Sequence, residues 1–409
     1  MKNSNFTRVI GIMAGTALLL VSVSCGGKDK ARDEKRPTKV PEASTSSHAD
    51  IEVNPTSYPF TFVAYGDLRS TEHEWFGQHV TNPGPRKAII SDIVTRKPDF
   101  LVMTGDFVFR GFKREDWEVF NKEIEAVKSA GITVFPAVGN HEVGPYPPWM
   151  EKSLRIVPTL ARKEGLELYD KEFPTFGRKP NEWYSVKSGN CYFLILDSQL
   201  DSQDVLHQQL QLQWVKDQLA ALPQEVDFVF VVLHSAIYTA VNDDVHRPGD
   251  NEKQLAKTLE EKQSNIRARI IVISGHVHNY ERYVHRSNAI YELKMTNYKS
   301  YDPEDVTYIV SGGGGAEPVC LYRISAKECR SSGTWSHPPR NIKAFQRSNQ
   351  DLYGRSDASQ HSDTVGDPYH YCLFTVNHSK LTFQMMKLVR NGTGVTFQES
   401  DSFELLIKH

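Results

Sequence analysis

Ile270-Ile271-Val272-Ile273-Ser274-Gly275-His276-Val277-His278-Asn279-Tyr280-Glu281-Arg282 is the stretch from which the rest of the chain is read. An apolar, β-branched run this short, halted by glycine, reads as a buried strand delivering two imidazoles at its carboxyl end. Open α/β sheets place their chemistry at that end. If the strand continues, His276 and His278 share a face and enter one site. If Gly275 turns the backbone, the two rings diverge onto neighbouring metals. A pair of buried, satisfied histidines is the competing reading, so the case rests on the rest of the chain.

Upstream the same pattern recurs. Residues 60–65 form an apolar run ending at Gly66-Asp67-Leu68-Arg69, and residues 100–103 form another ending at Thr104-Gly105-Asp106. Residues 132–138 end at Gly139-Asn140-His141-Glu142, and residues 228–233 end at His234. Between the first three runs lie two helical patterns. Pro85 opens one carrying Ile89, Ile90, Ile93 and Val94, and the other carries Trp117, Phe120, Ile124 and Val127 before Gly131 stops it. Strand, helix, strand, helix, strand predicts an α/β fold with a parallel sheet covered on both sides.

Residues 142–182 read as a Pro- and Lys-rich excursion capping the site mouth, with Tyr146, Trp149, Tyr169 and Trp183 lining the mouth or packing the cap. Residues 183–186 and 192–196 read as paired strands. Leu206, Leu210, Trp214, Leu219 and Leu222 mark a helix, and 251–265 another. In the last third, runs at 291–298, 307–310, 371–376 and 381–389, with Asn391-Gly392 before 395–397, predict a second, more antiparallel sheet. Residues 317–370 read as an irregular insertion holding His361 and His370. The glycines at 312–315 read as a close-approach turn in preference to a phosphate cradle.

The 409 residues are 39% hydrophobic and 11% aromatic with a formal net charge of −2. That suffices for a core and lacks the basic footprint of a nucleic-acid binder. Lys2 and Arg8 precede an uncharged run over 9–24, short for a membrane span and suited to a secretory signal. It ends at Val23-Ser24-Cys25-Gly26, which resembles a bacterial lipobox with Ser22 where leucine is usual. The expectation is a lipoprotein-type signal over 1–25, a lipid anchor at Cys25, and an exported protein facing the periplasm or cell surface. An ordinary signal peptide or an uncleaved anchor also leaves the remainder outside the cytoplasm. Residues 26–58 read as a disordered tether and 59–409 as the folded domain. Beyond Cys25, Cys191, Cys320, Cys329 and Cys372 are an even set. Cys320 with Cys329 is the local pairing, while Cys191 and Cys372 sit in apolar runs as a pair or as buried free thiols.

Collected at the strand ends are Asp67, Asp106, Asn140, His141, His234, His276 and His278. Carboxylate, amide oxygen and imidazole are ligands for ions such as Zn, Mn and Fe. The five blocks, in this order, resemble the signature of the calcineurin-like metallophosphoesterases, with the His-x-His-x-Tyr-x-Arg ending similar to the purple acid phosphatases. The resemblance implies a four-layer α/β/β/α sandwich of two mixed sheets flanked by helices, and phosphate-ester hydrolysis at two metal ions. It implies Asp106 as the bridge, Asp67 and His278 on the first metal, and Asn140, His234 and His276 on the second. His141 would contact the phosphoryl group or protonate the leaving oxygen.

Two positions depart from the family. Arg69 stands where many relatives have a metal-ligating histidine, and Phe109 where the purple branch has a tyrosine. Arginine cannot ligate, so Arg69 is expected to clamp the substrate phosphate or to pair structurally with Asp67. Phosphomonoesterase is the leading expectation and phosphodiesterase the alternative. A degenerate lipoprotein that binds a phosphorylated ligand is the reading from another class.

Overall fold

The computed structural model describes residues 50–53, 55, 57–75, 78–79, 81–144, 157–174, 183–199, 205–239, 246, 248–285, 305–316, 345–346, 352–356, 369–391 and 394–407. The signal and anchor expected over 1–25, most of the tether, Tyr146, Trp149, the run at 291–298, Cys320, Cys329 and His361 lie outside them. In chain order, β1 (Asp50–Glu52) and β2 (Phe60–Tyr65) precede the short pair β3 (Glu74–Trp75) and β4 (Gln78–His79). Then come α1 (Pro83–Arg96), β5 (Phe100–Met103), α2 (Arg114–Ser129), β6 (Thr133–Pro136) and α3 (Val157–Glu172). The hairpin β7 (Tyr184–Ser188) and β8 (Cys191–Ile195) leads to α4 (Val205–Ala220), β9 (Phe228–Leu233), α5 (Asp250–Gln263) and β10 (Arg269–Ser274). The chain continues through β11 (Tyr280–His285), β12 (Val306–Ser311), β13 (Phe345–Gln346) and β14 (Leu352–Ser356). It ends in β15 (His370–Val376), β16 (Lys380–Asn391) and β17 (Gly394–Leu406).

Two mixed sheets result. One has nine strands in the order β1-β7-β8-β9-β10-β12-β11-β14-β13, and the other has six in the order β17-β16-β15-β2-β5-β6. Side chains alternate across a strand, so a strand apolar at every position has to be covered on both faces. Phe60, Phe62 and Ala64 of β2 point into the cluster between the sheets, as do Phe228, Phe230 and Val232 of β9. Their neighbours face outward: Val63 and Tyr65 meet Ile89 and Ile93 of α1 and Phe120 of α2. On the opposite side Val229, Val231 and Leu233 meet Trp214 of α4 and Leu259 of α5. These are the four layers expected.

Several expectations are corrected. The C-terminal strands do not form a sheet of their own: β15 pairs antiparallel with β2 and extends the six-stranded sheet, while β12 lies between β10 and β11 in the other. Cys372, Phe374 and Val376 of β15 fill the same inner cluster as Phe62, and that shared face selects the partner. The ordered body begins before residue 59, because β1 pairs in parallel with β7. Ile51 and Val53, alternate apolar residues, pack on the inner cluster and suffice for an edge strand.

The excursion holds α3, whose Tyr169 is buried against the outer cluster and donates to the Pro136 carbonyl at 3.2 Å. Trp183 is buried as well, so these two aromatics belong to the body. The insertion contributes β13 and β14, which continue the nine-stranded sheet beside β11. His370 starts β15 and is buried against Tyr280, at a ring separation of 5.6 Å. Leu206 is 60% exposed, leaving Trp214, Val215 and Leu219 as the buried stripe of α4. Cys191 and Cys372 are buried free thiols. No helix among the described residues is long and apolar enough to cross a membrane.

Candidate metal centre

The five blocks meet where the carboxyl ends of both sheets converge. Asp67, Asp106 and Asn140 follow β2, β5 and β6 of the six-stranded sheet, and His234, His276 and His278 follow β9 and β10 of the other. The first two loops are laced together beyond their strands: Asp67 N donates to Gly105 O at 2.9 Å, Arg69 N to Asp106 O at 2.9 Å and Ser70 N to Phe107 O at 2.8 Å. Asp67, Arg69, Asp106 and His276 all hold positive φ, at 58°, 49°, 55° and 67°. Such conformations are uncommon outside glycine and persist where the surroundings over-determine them.

The glycines before the candidate ligands have a steric reason. A Cβ on Gly275 would lie 2.3 Å from Asp67 Oδ2, and one on Gly139 would lie 2.4 Å from Asp106 Oδ1. Any side chain there would fill the space beside the carboxylates. The 312–315 run serves the same end from behind: a Cβ on Gly312 would lie 2.1 Å from Val277 O and one on Gly314 1.8 Å from Gly66 O. It is a close-approach strut.

The donor atoms form two groups around Asp106. Ligand atoms of Asp67, Asp106 and His278, all buried, lie within 4.8 Å of one another. On the other side His234 Nε2 is 2.9 Å from Asn140 Oδ1, 3.3 Å from Asp106 Oδ1 and 3.2 Å from His276 Nδ1. His234 Nδ1 is 2.8 Å from the Thr104 carbonyl, which only accepts, so in the neutral ring the proton sits on Nδ1. Burial, opposed by Asp106, lowers the His234 pKa and keeps that ring neutral. Nε2 therefore offers a lone pair beside two oxygens that also only accept. A cluster of buried acceptors is the donor set of a cation, and its mixture of imidazole, amide and carboxylate fits Zn, Mn or Fe.

Burial raises the Asp67 carboxyl well above the usual range, and the neighbouring Asp106 charge adds to this. Burial works in the same direction on Asp106, but the net effect is a carboxyl held well below that range by His234, His141 and Arg69. With both imidazoles neutral near pH 7, the permanent Arg69 charge is the cause that persists. Arg69 Nε and Nη2 lie 3.1 and 3.0 Å from Asp106 Oδ2. The structural pairing expected with Asp67 is thus made with Asp106 instead.

All six expected metal ligands converge, and His141 sits beside them. Its Nδ1 is 2.6 Å from the Phe109 carbonyl and its Nε2 3.9 Å from Asp106 Oδ2. Burial and Arg69 lower its pKa to about 4. Two more residues belong here. Glu142 accepts the amides of Asp106 and Gly139 on Oε2, both at 2.8 Å, and of Phe107 and Val108 on Oε1, at 2.8 and 3.3 Å. It stood in the third block, but nothing local marks it as the buckle of two loops. His246 places its ring 5.0 Å from that of His276 and 6.2 Å from that of His278. As a lone histidine in a polar loop it carries no periodic signal. Tyr280 and Arg282 face away from the centre: both bond Asp401, at 2.6 and 2.7 Å, tying β11 of one sheet to β17 of the other.

A family model described as Calcineurin-like phosphoesterase matches residues 61–280. That is more than half of the chain, and the chain belongs to this family. Within it, purple acid phosphatase 22 of Arabidopsis thaliana is 25% identical over 262 residues, 64% of this chain and 51% of that protein. Fe(3+)-Zn(2+) purple acid phosphatase 12 of the same plant is 24% identical over 270 residues, 63% of this chain and 50% of that protein. The chain spans about half the length of the curated relatives it matches. Among solved structures, purple acid phosphatase PPD1 from yellow lupin (Lupinus luteus) seeds matches with a TM-score of 0.55 and 19% identity, covering 86% of this chain and 54% of that one. That likeness is one of fold.

Proposed function

We propose that this protein hydrolyses phosphate esters, monoesters foremost, at a centre of two divalent or trivalent ions of iron, manganese or zinc. The observation that carries the reading is the place of Asp106, fully buried between two groups of ligand atoms drawn from both sheets. Asp106 would be shared by the two ions, Asp67 and His278 would hold the first, and Asn140, His234 and His276 the second. When bound, the ions supply charge neutralisation at the phosphoryl oxygens and a more acidic attacking water.

The chain's own groups do the positioning. The Phe109 carbonyl engages His141 Nδ1 and leaves Nε2 facing the centre, 3.9 Å from Asp106 Oδ2. A phosphate dianion beside Nε2 favours the protonated ring, which would then contact the phosphoryl group or pass that proton to the leaving oxygen. In this structure Arg69 places two N–H groups on Asp106, and the planar fork it carries suits a phosphate. The likeness to purple acid phosphatases supports monoesters, and a phosphodiesterase would use the same groups in a differently shaped mouth.

The test is turnover of an aryl phosphate by the full chain with added Mn, Zn or Fe, beside Asp106→Asn. Metal-dependent turnover lost in the variant supports the reading; no turnover with any metal, for mono- or diesters, sinks it. The location is proposed from residues 1–25: export, lipidation at Cys25, and a place on the periplasmic or outer cell surface. Cys25→Ser should then move the protein from the membrane to the soluble fraction, and an unchanged distribution argues against the anchor.

A further inference from the structure

The two oxygens of Asp106 have different partners. Oδ1 accepts the His141 amide at 2.9 Å and lies 3.3 Å from His234 Nε2. Oδ2 receives Arg69 Nε and Nη2 together, at 3.1 and 3.0 Å. Both contacts fall on one oxygen, so the guanidinium covers the outer lone pairs of the one carboxylate shared by the two ligand groups. Arg69 is also fixed at its root, because its amide donates to the Asp106 carbonyl at 2.9 Å. Its side chain is 17% exposed, and so has a path outward that the Asp106 carboxylate, at 0%, lacks. It is a cation tethered within reach of the carboxylate whether or not the two are in contact.

We propose that Arg69 is a built-in counter-cation that makes the two ions load unequally. The side formed by Asn140, His234, His276 and Asp106 Oδ1 fills first. The side formed by Asp67, His278 and Asp106 fills only when Arg69 releases Oδ2. A divalent ion and a guanidinium repel each other and compete for the same lone pairs. Release turns the guanidinium outward, where a phosphate dianion is its natural partner, so substrate and first-site ion favour the same arrangement. Because each is bound to the released state, each should tighten the other. The inference rests on the metal centre proposed above and concerns Arg69, one of the two positions at which the sequence departs from the pattern it resembles.

The experiment is titration of the metal-stripped full chain with Mn(II), following heat and stoichiometry, and repeating with inorganic phosphate present. Expected are two unequal steps, the second at least about tenfold weaker, which phosphate strengthens. Arg69→Ala should tighten the second step about tenfold and abolish most of the help from phosphate. Arg69→Lys keeps a charge without the fork and should fall between; it carries the test alone if the alanine variant does not fold. Two equal steps in the wild type, or a second step that either variant leaves unchanged or weakens, overturns the proposal while leaving the metal centre standing. No uptake at all removes the centre and the proposal together.

Discussion

Glu142 Oε2 accepts the Asp106 amide and the Gly139 amide at the same 2.8 Å, so one carboxylate holds the loops that carry Asp106 and Asn140. Two further amides on Oε1 complete four donors facing one side chain. Glu142→Gln turns an N–H group toward amide N–H groups. Leaving such groups buried and unmatched should cost about 1–3 kcal/mol of stability. It should also weaken metal uptake, since Asp106 and Asn140 lose their shared support. Denaturant unfolding and metal titration of the variant check both, and a variant matching wild type in both assays would show that the buckle is idle.

The metal-free protein is expected to be most stable in mildly acidic solution. Burial and Arg69 hold His141 at about 4, below its ordinary 6.5. A base whose folded pKa lies below its unfolded one stabilises above the unfolded value and loses that contribution as pH falls toward the folded one. His141 alone should cost on the order of 3 kcal/mol between neutral pH and about pH 4. Glu142 has the opposite sign: burial and Asp106 push it up to about 8 from 4.5, so its contribution is complete below 4.5 and lost as pH rises through about 8. The two windows overlap and nearly cancel between about pH 4.5 and 6.5, so urea midpoints should be highest there and fall both above and below that range. A midpoint indifferent to pH rules this out.

An iron-loaded sample should be colourless. Phe109 lies against His141 with ring centroids 5.3 Å apart and offers the site a carbonyl but no phenol. Tyr280 is engaged by Asp401, and burial raises its pKa well above the ordinary value, disfavouring the tyrosinate. Visible spectra of the ferric form settle the matter: a tyrosinate-to-iron charge-transfer band in the wild type would mean that another tyrosine has reached the metal.

Phe62→Ala should destabilise the fold by about 3–5 kcal/mol, the range for a large-to-small change in a packed core. Phe62 is fully buried and touches rings from both sheets, stacking on Phe100 at 5.2 Å and meeting Phe193 edge-on at 5.1 Å. Thermal and denaturant unfolding measure the loss, and a cost below about 1 kcal/mol would mean that the layer collapses around the gap.

The candidate ligands were legible in the sequence because each follows an apolar run of strand length, and most sit behind a glycine, a pattern that recurs along the chain. The covering of both sheets was legible from strands apolar at every position. Pairing was not, since nothing local in Cys372-x-Phe374-x-Val376 says that its neighbour is β2. Arg69 was visible as a departure, but its partner depended on which carboxylate lies within reach of a backbone at φ 49°. Glu142 and His246 act across loops distant in sequence, and no spacing rule reports such contacts. The edge strand β1 was hidden by composition, two apolar residues in a segment dominated by Lys, Pro and Ser.

Phe62 stacks on Phe374 at 4.5 Å and meets Phe230 edge-on at 5.0 Å. Half of the candidate ligands ride on the sheet that bears Phe62 and half on the sheet that bears Phe230. The gap across which the two halves face each other is thus calibrated by the thickness of benzene rings that take no part in the chemistry. Substitutions in that interlayer, even ones the fold tolerates, should shift the separation of the two halves, and with it the ionic radius that the proposed centre would prefer.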